Sequence, residues 1–508
     1  MTNFKKLLLA GTAVVAVSAF APATQAADLT LAADGTWASA GGANSTPTTD
    51  ITNAAAGDNV SVTSDATITI TNNGVADDGS ANTNTFALGD VTDTATANIA
   101  ITPGSDNNLT VTIDSVNIAG NVTVTGNADA GNDGIISVTL DDAAVASVIG
   151  GNLVLDNSAV DGVGNTLTFD ADGELTVTGT TAVTAGAAAG DSSATLIASK
   201  DATFTGAVTI TGGANAASIA TGLFQGSTTF TGGVTLDDGA AGAAVATFDV
   251  ATDGTDLTVA GDIVGAADGE GTVNVVDDDR TTEDSVTFSG TLGTAAASLA
   301  AVNVGVGEGA DAVFNGDVDA TAITVGAAGN GAENTSADFN GDVTGALTAV
   351  ASIGAGNTVV NLAGDLTGTL ALTDVAGNGT ATAIFDGTSA QTVSGAVTPT
   401  NQEGIINVTG TGGTTFESAI GAGVAGLGLF TVGSGSMATL EADLFTDSTN
   451  NAAAAGLDVD GTLVLTNSAG AGIDVLEDAG DIDVDGTLTV NGDTTSATIE
   501  ATTGDIYI

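Results

Sequence analysis

"VFNGDVDATAITVG" occupies residues 313–326, and "DFNGDVTGALTAV" follows at 338–350. The phrase Phe-Asn-Gly-Asp-Val thus returns after 25 residues, from Phe314 to Phe339. Loosened to apolar–x–Gly–x–apolar, it begins at Phe204, Phe230, Val259, Phe288, Phe314, Phe339, Leu362 and Phe385, at intervals of 23–29 residues. Earlier copies begin at Ile118 and Ile149, later ones at Val459 and Val484, with a degenerate copy at Phe416. One copy in a chain rich in Gly and Thr carries no weight; the regular spacing does. A further Phe-x-Gly at Phe224 falls out of step with the rest.

Around these phrases, short runs alternate Val, Ile, Leu or Phe with Thr or Asn, as in "NLTVTI" (108–113), "ELTVTG" (174–179) and "TLTVNG" (487–492). A period of two predicts strands with one buried face, and β-branched Thr suits the outer face. Gly, Asp and Asn between the runs are turn residues. Amphipathic helices are absent from the pattern; the Ala-rich "TAAASLAAV" (294–302) offers one short helical turn at most. A unit of this length cannot bury its apolar face alone, so neighbours must stack. The expected fold is all-β, an elongated parallel β-helix or β-solenoid with coils of about 25 residues. Each coil repeats one position above another, so the Phe residues form an internal ladder. The Gly marks a corner where a Cβ would clash or where φ is positive. The neighbouring Asn or Asp tolerates left-handed geometry and can bond its own backbone.

Composition agrees with a narrow core written many times over. Aromatic residues are 3% of the chain, and the 43% hydrophobic content is mostly Ala, Val, Ile and Leu. The chain has no Cys and no His, which excludes disulfides, thiolate sites, His-ligated metals and His general bases. The first 26 residues read as an export signal: Lys5 and Lys6, an apolar run from Leu7 to Phe20 too short to span a bilayer, and a cleavage site after Ala26. No later stretch reads as a transmembrane helix. Beyond Ala26 the only cations are Lys200 and Arg280 against 61 Asp and Glu, a charge of −59. Nucleic acid and anionic membranes would repel such a chain, and divalent cations would be drawn to it.

The expected organisation is a signal peptide at 1–26, an irregular capping β region at 27–117 and solenoid repeats at 118–435. An interruption at 436–456 and C-terminal repeats at 457–508 complete it. Trp37 belongs to the cap core or, alternatively, to an exposed sugar-stacking surface. Three Asp-x-Asp-Gly phrases contain the candidate metal ligands: Asp170 and Asp172, Asp458 and Asp460, Asp483 and Asp485. Such turns supply two of the several oxygens Ca²⁺ needs, but neither the EF-hand loop nor a glycine-rich calcium nonapeptide is present. A turn between strands is the competing reading of each. No nucleophile elbow or phosphate-binding loop occurs, and an aromatic platform for glycan cleavage is lacking. Neither a catalytic residue nor an organic cofactor is expected.

The export signal, the Thr/Val/Gly/Asp/Asn-rich body and repeats such as "FTGAVTITGG", "FNGDV", "LAGDLTG" and "IINVTGTGGTTF" resemble bacterial β-strand-repeat surface proteins, among them autotransporter passenger regions and surface-layer-like proteins. The resemblance covers most of the chain beyond residue 26 and is one of style. It implies a passive coat, adhesin or matrix role at the bacterial surface. An autotransporter also carries a C-terminal barrel with aromatic girdles, whereas this sequence ends in repeat style. The expectation is an exported structural protein that forms a layer, fibre or matrix by self-association, assisted by Ca²⁺. The alternatives are an adhesin passenger that contacts a host surface or cell-surface glycan, and a β-helical polysaccharide-active enzyme.

Overall fold

The computed structural model describes residues 29–31, 35–38, 60–62, 66–71, 83–102, 108–126, 134–158, 165–186, 192–250, 255–277, 284–305, 309–326, 334–351, 356–374, 379–400, 404–422, 425–447, 455–466, 472–491 and 496–508. The export signal lies outside them, as does the side chain of Trp37. Every described element is a β-strand, and every strand pairing is parallel, each strand meeting its equivalent one coil away. The chain is a β-solenoid. Parallel strands need a long crossover; here the other two strands of the same coil provide it.

One coil shows the plan. Asn108–Ile113 is the long strand, Val116–Ile118 the short strand and Val122–Thr125 the third strand. Each belongs to its own ladder. The long strand pairs with Ile135–Leu140, the short with Ser147–Ile149 and the third with Leu153–Asp156. Side chains alternate strictly: Leu109, Val111 and Ile113 are buried, and Thr110 and Thr112 half-buried on the outer face. The short ladder contains nineteen strands among the described residues. It includes Leu29–Leu31, Val60–Val62 and Val91–Asp93, so the coil pattern extends below Ile118. The stretch 436–456 likewise contains Met437–Leu440, which pairs on both sides within the stack. "TAAASLAAV" forms a hydrogen-bonded turn between Thr294 and Ala297 and then the strand Leu299–Val304.

The expected aromatic ladder is present. Phe288, Phe314 and Phe339 stack with ring centroids 5.1 and 4.9 Å apart. Phe204 and Phe230 stack at 5.5 Å. Phe224, out of step in the sequence, lies on a different ladder: it ends a long strand, in register with Ala198 and Phe248. Its ring packs edge-on against Phe230 at 5.2 Å. Room for it comes from Gly222, where a Cβ would sit 2.8 Å from the Phe224 ring. Large and small residues trade volume across the narrow interior, as a densely packed core requires.

The repeated phrase is the corner from short to third strand. Phe314 ends the short strand Asp311–Phe314, three residues turn, and Val318 opens the next strand. The corner glycines stand one above another. A Cβ on Gly290, Gly316, Gly341 or Gly364 would lie 2.2, 2.5, 2.7 or 2.4 Å from the carbonyl oxygen of the corner glycine one coil below. None of the four has a positive φ. Of the two reasons for glycine that the sequence left open, coil-to-coil crowding is the operative one here. The adjoining Asn and Asp also act between coils rather than on their own backbone. Asn121 N–H donates to Asn98 Oδ1 (2.9 Å), and Asn152 N–H donates to Asn121 Oδ1 (2.8 Å). Asp342 and Asp365 N–H groups donate to Asp317 and Asp342 Oδ1, each at 2.9 Å. Each side chain satisfies the amide of the next coil where the sheet ladder is broken by the turn.

Candidate functional site

Because one corner position recurs in every coil, an acidic choice there becomes a column of carboxylates. Asp317, Asp342 and Asp365 occupy three successive coils, each exposed or half-buried, with Asp262 two coils earlier. A second acidic line lies at the corner from long to short strand. There Asp114 is pushed above the ordinary carboxylate range by burial and then by Asp90, Asp142 and Asp141.

The candidate metal ligands fall into two separate places. Asp170 projects from the long strand Thr166–Ala171, in register with Thr139 and Ile197. Its carboxyl is raised by burial first and by Asp172 second, and the Ser199 hydroxyl lowers it. Asp172 follows in the turn, where Gly173 would meet the carbonyl oxygens of Asp142 and Val145 at 2.6 Å if it bore a Cβ. Asp458 and Asp483 lie elsewhere, in register with each other on the outer side of the short ladder. Asp460 and Asp485 are exposed at the corners that follow. Asp458 is raised by burial, then by Asp460, Asp483 and Asp485, so these four form one electrostatic cluster. A Cβ on their glycines, Gly461 and Gly486, would lie 2.4 and 2.1 Å from the carbonyl oxygens of Gly433 and Gly461. The same Asp-x-Asp-Gly phrase therefore builds two different corners. Among the described residues, no group of three or more Asp or Glu side chains is placed to hold one metal ion. What the corners offer is a line of charge rather than a cage.

Several carboxylates escaped the sequence reading. Asp249, Asp277, Asp284, Asp447 and Glu477 are buried. Asp249 Oδ2 accepts from Gln225 Nε2 at 2.8 Å. Glu477 Oε1 accepts from the N–H groups of Ala479 and Gly480 at 3.1 and 2.6 Å, closing the turn after its strand. Both are structural acceptors. Their only local signal is an acid directly after an alternating run, which many exposed turn residues share. Lys200, with Asp201 and Gln225, lines a shallow cleft on the second corner. Tyr507 Oη donates to Asp505 Oδ2 at 3.2 Å, which raises the phenol above its ordinary value, with further contributions from the charges of Asp505, Asp481 and Asp483.

No protein-family model, curated protein or solved structure matches this chain. No helix among the described residues is long and apolar enough to cross a membrane.

Proposed function

We propose that the protein is an exported structural component of a bacterial surface. Its β-solenoid rods assemble into a layer or fibre, and divalent cations such as Ca²⁺ neutralise the acidic corner columns. The observation that carries this reading is the repetition of like charge at one corner, Asp317 over Asp342 over Asp365, in a chain with 61 acids and four cations. Two unit charges about 4.8 Å apart in water repel by roughly 0.9 kcal/mol. Rods carrying such lines side by side repel until counter-ions condense between them. Divalent ions do this at far lower concentration than sodium and can join carboxylates from two rods.

The test is assembly of the purified chain, followed by sedimentation and negative-stain microscopy. Sheets or fibres should form on adding millimolar Ca²⁺ and dissolve on chelation, whereas sodium at equal ionic strength should fail to support them. A chain that remains a monomer with Ca²⁺ at every concentration reached refutes the proposal.

A further inference from the structure

The acids are distributed unevenly over the three faces. Eight successive long strands, joined by seven pairings, run from Asn108–Ile113 to Leu299–Val304. Their outward side chains are Thr, Ser, Asn, Ala, Val, Ile and Leu, and Asp170 is the one charged residue among them. Ser137, Thr168, Thr195 and Thr221 stand in register in one column that continues into Val245. Ile135 and Ile219, at the rim of the same face, are 48% and 38% exposed. The other two faces are narrower; along these eight coils the third carries more charge, and the short face carries Asp311 alone, its other acids lying in later coils. Asp156 and Asp237 point outward on the third, and Asp311, Asp338, Asp458 and Asp483 on the short one.

We infer that the long-strand face is where a second copy of this chain docks, sheet face to sheet face. The inference rests on the self-association proposed above and names its surface. Three arguments favour a second copy. First, the area suffices. Eight strands about 4.8 Å apart and about five residues wide cover about 650 Å² per copy. That is about 1,300 Å² for a pair, within the roughly 1,200–2,000 Å² of specific interfaces. Second, desolvation is cheap, because the patch brings only the Asp170 carboxylate per copy out of water, whereas the third face of the same coils would bury Asp156 and Asp237, and the short face, with Asp311 alone, is too narrow to supply the area. Third, the outward residues are mostly β-branched and held by their ladders, so they lose little rotamer entropy on packing. A two-fold axis lying in the plane of the interface makes the patch self-complementary. The acidic long-to-short corner, with Asp114, Asp141 and Asp142, then borders the seam, where cations can reach it.

The test uses the full chain, in which every introduced thiol is unique because there is no Cys. Thr195→Asp combined with Thr221→Asp should weaken association in Ca²⁺ at least tenfold by sedimentation velocity, whereas Thr209→Asp on the third face should leave it unchanged. Asp170→Asn should strengthen it. In parallel, Thr195→Cys should cross-link through a short bis-maleimide, and Thr203→Cys and Thr209→Cys should not, a readout independent of folding loss in the Asp pair. If association survives Thr195→Asp/Thr221→Asp and cross-links instead at position 203 or 209, the face is wrong while the assembly reading stands. If the unaltered chain never associates, both fall together.

Discussion

Replacing Gly316 by Ala tests the central claim about the repeated phrase. The added Cβ would lie 2.5 Å from Gly290 O and 2.8 Å from Gly290 C. Ordinary contact begins near 3.4 Å, so the two coils must part by about 0.9 Å at this corner, against a normal strand spacing of about 4.8 Å. Asn315 N–H to Phe288 O is 2.9 Å and lies directly beside the clash. Parting the corner stretches it beyond useful length. One or two weakened hydrogen bonds cost about 0.5–1.5 kcal/mol each, and the overpacking itself about 1–3. Loss of glycine's freedom in the unfolded chain returns only about 0.4–1 kcal/mol. The expected net destabilisation is about 0.5–5.5 kcal/mol. Gly433 supplies the control. It occupies a corner where the nearest atom, Val408 O, is 3.5 Å away, and its φ is not positive. Gly433→Ala should therefore be neutral or stabilising by up to about 1 kcal/mol. Hydrogen exchange read by mass spectrometry is the assay of choice, because a stacked array loses stability locally. Peptides spanning Ser285–Val318 should exchange about ten- to a hundredfold faster in the Gly316 variant. Equal behaviour of the two variants, or protection gained at Gly316→Ala, would refute inter-coil crowding as the reason for glycine.

Phe314→Ala empties a position stacked between Phe288 and Phe339 and should lower stability by about 3–5 kcal/mol in urea unfolding followed by circular dichroism, while Phe445→Ala, half-exposed on the outer face, should cost much less. Asp342→Ala leaves the Asp365 amide without its acceptor and should cost about 1 kcal/mol, whereas Asp342→Asn keeps an acceptor, removes repulsion from the column and should be neutral or stabilising in the same assay. Asp458 is raised in the folded chain, so its contribution is fully present below the ordinary carboxylate value of about 3.9 and is lost as pH rises through the raised one. Exchange protection of Ala455–Val459, corrected for intrinsic rates, should thus be greater near pH 4 than at pH 7, and Asp458→Asn should reduce that difference.

Much of the fold was legible because a solenoid writes its geometry once per coil. The period from Phe204 to Phe385, the alternation of "NLTVTI" and the corner glycine are each local signals amplified by repetition. Phe224 falls out of step for an instructive reason. Phe224-Gln225-Gly226 does mark a corner: a Cβ on Gly226 would lie 2.2 Å from the Lys200 carbonyl carbon. The phrase serves the long-to-short corner there and the short-to-third corner elsewhere, so one motif has two phases within a coil. The Asp-x-Asp-Gly phrases hid the same ambiguity, placing Asp170 and Asp458 on different faces. Bonds between coils could not be read at all. Whether Asp342 bonds its own turn or the amide of Asp365 depends on which coil lies above it, and local chain order does not contain that.

The corner acceptors carry the argument from fold to function. At the lower end of the stack, Asn98, Asn121 and Asn152 accept the amide of the next coil at 2.8–2.9 Å. Farther along, Asp317, Asp342 and Asp365 do the same at 2.7–2.9 Å. The hydrogen bond is therefore satisfied equally well by a neutral side chain, and folding does not require the carboxylate. Stacked Asn also adds its own amide bond, as Asn121 Nδ2 does to Asn98 Oδ1 at 3.1 Å, whereas stacked Asp adds repulsion of roughly 0.9 kcal/mol per neighbouring pair in water. At physiological ionic strength that repulsion is screened beyond about 8 Å, so it is felt between adjacent coils and little farther. A chain that uses Asn at one end of a column and Asp at the other carries charge that its own corner does not need. That charge faces solvent, and on the proposed reading it acts on what approaches the rod, holding other rods off in water and gathering multivalent cations in rows. On the same proposal, rods meet across the long-strand face, whose one charged outward side chain is Asp170, once that charge is neutralised.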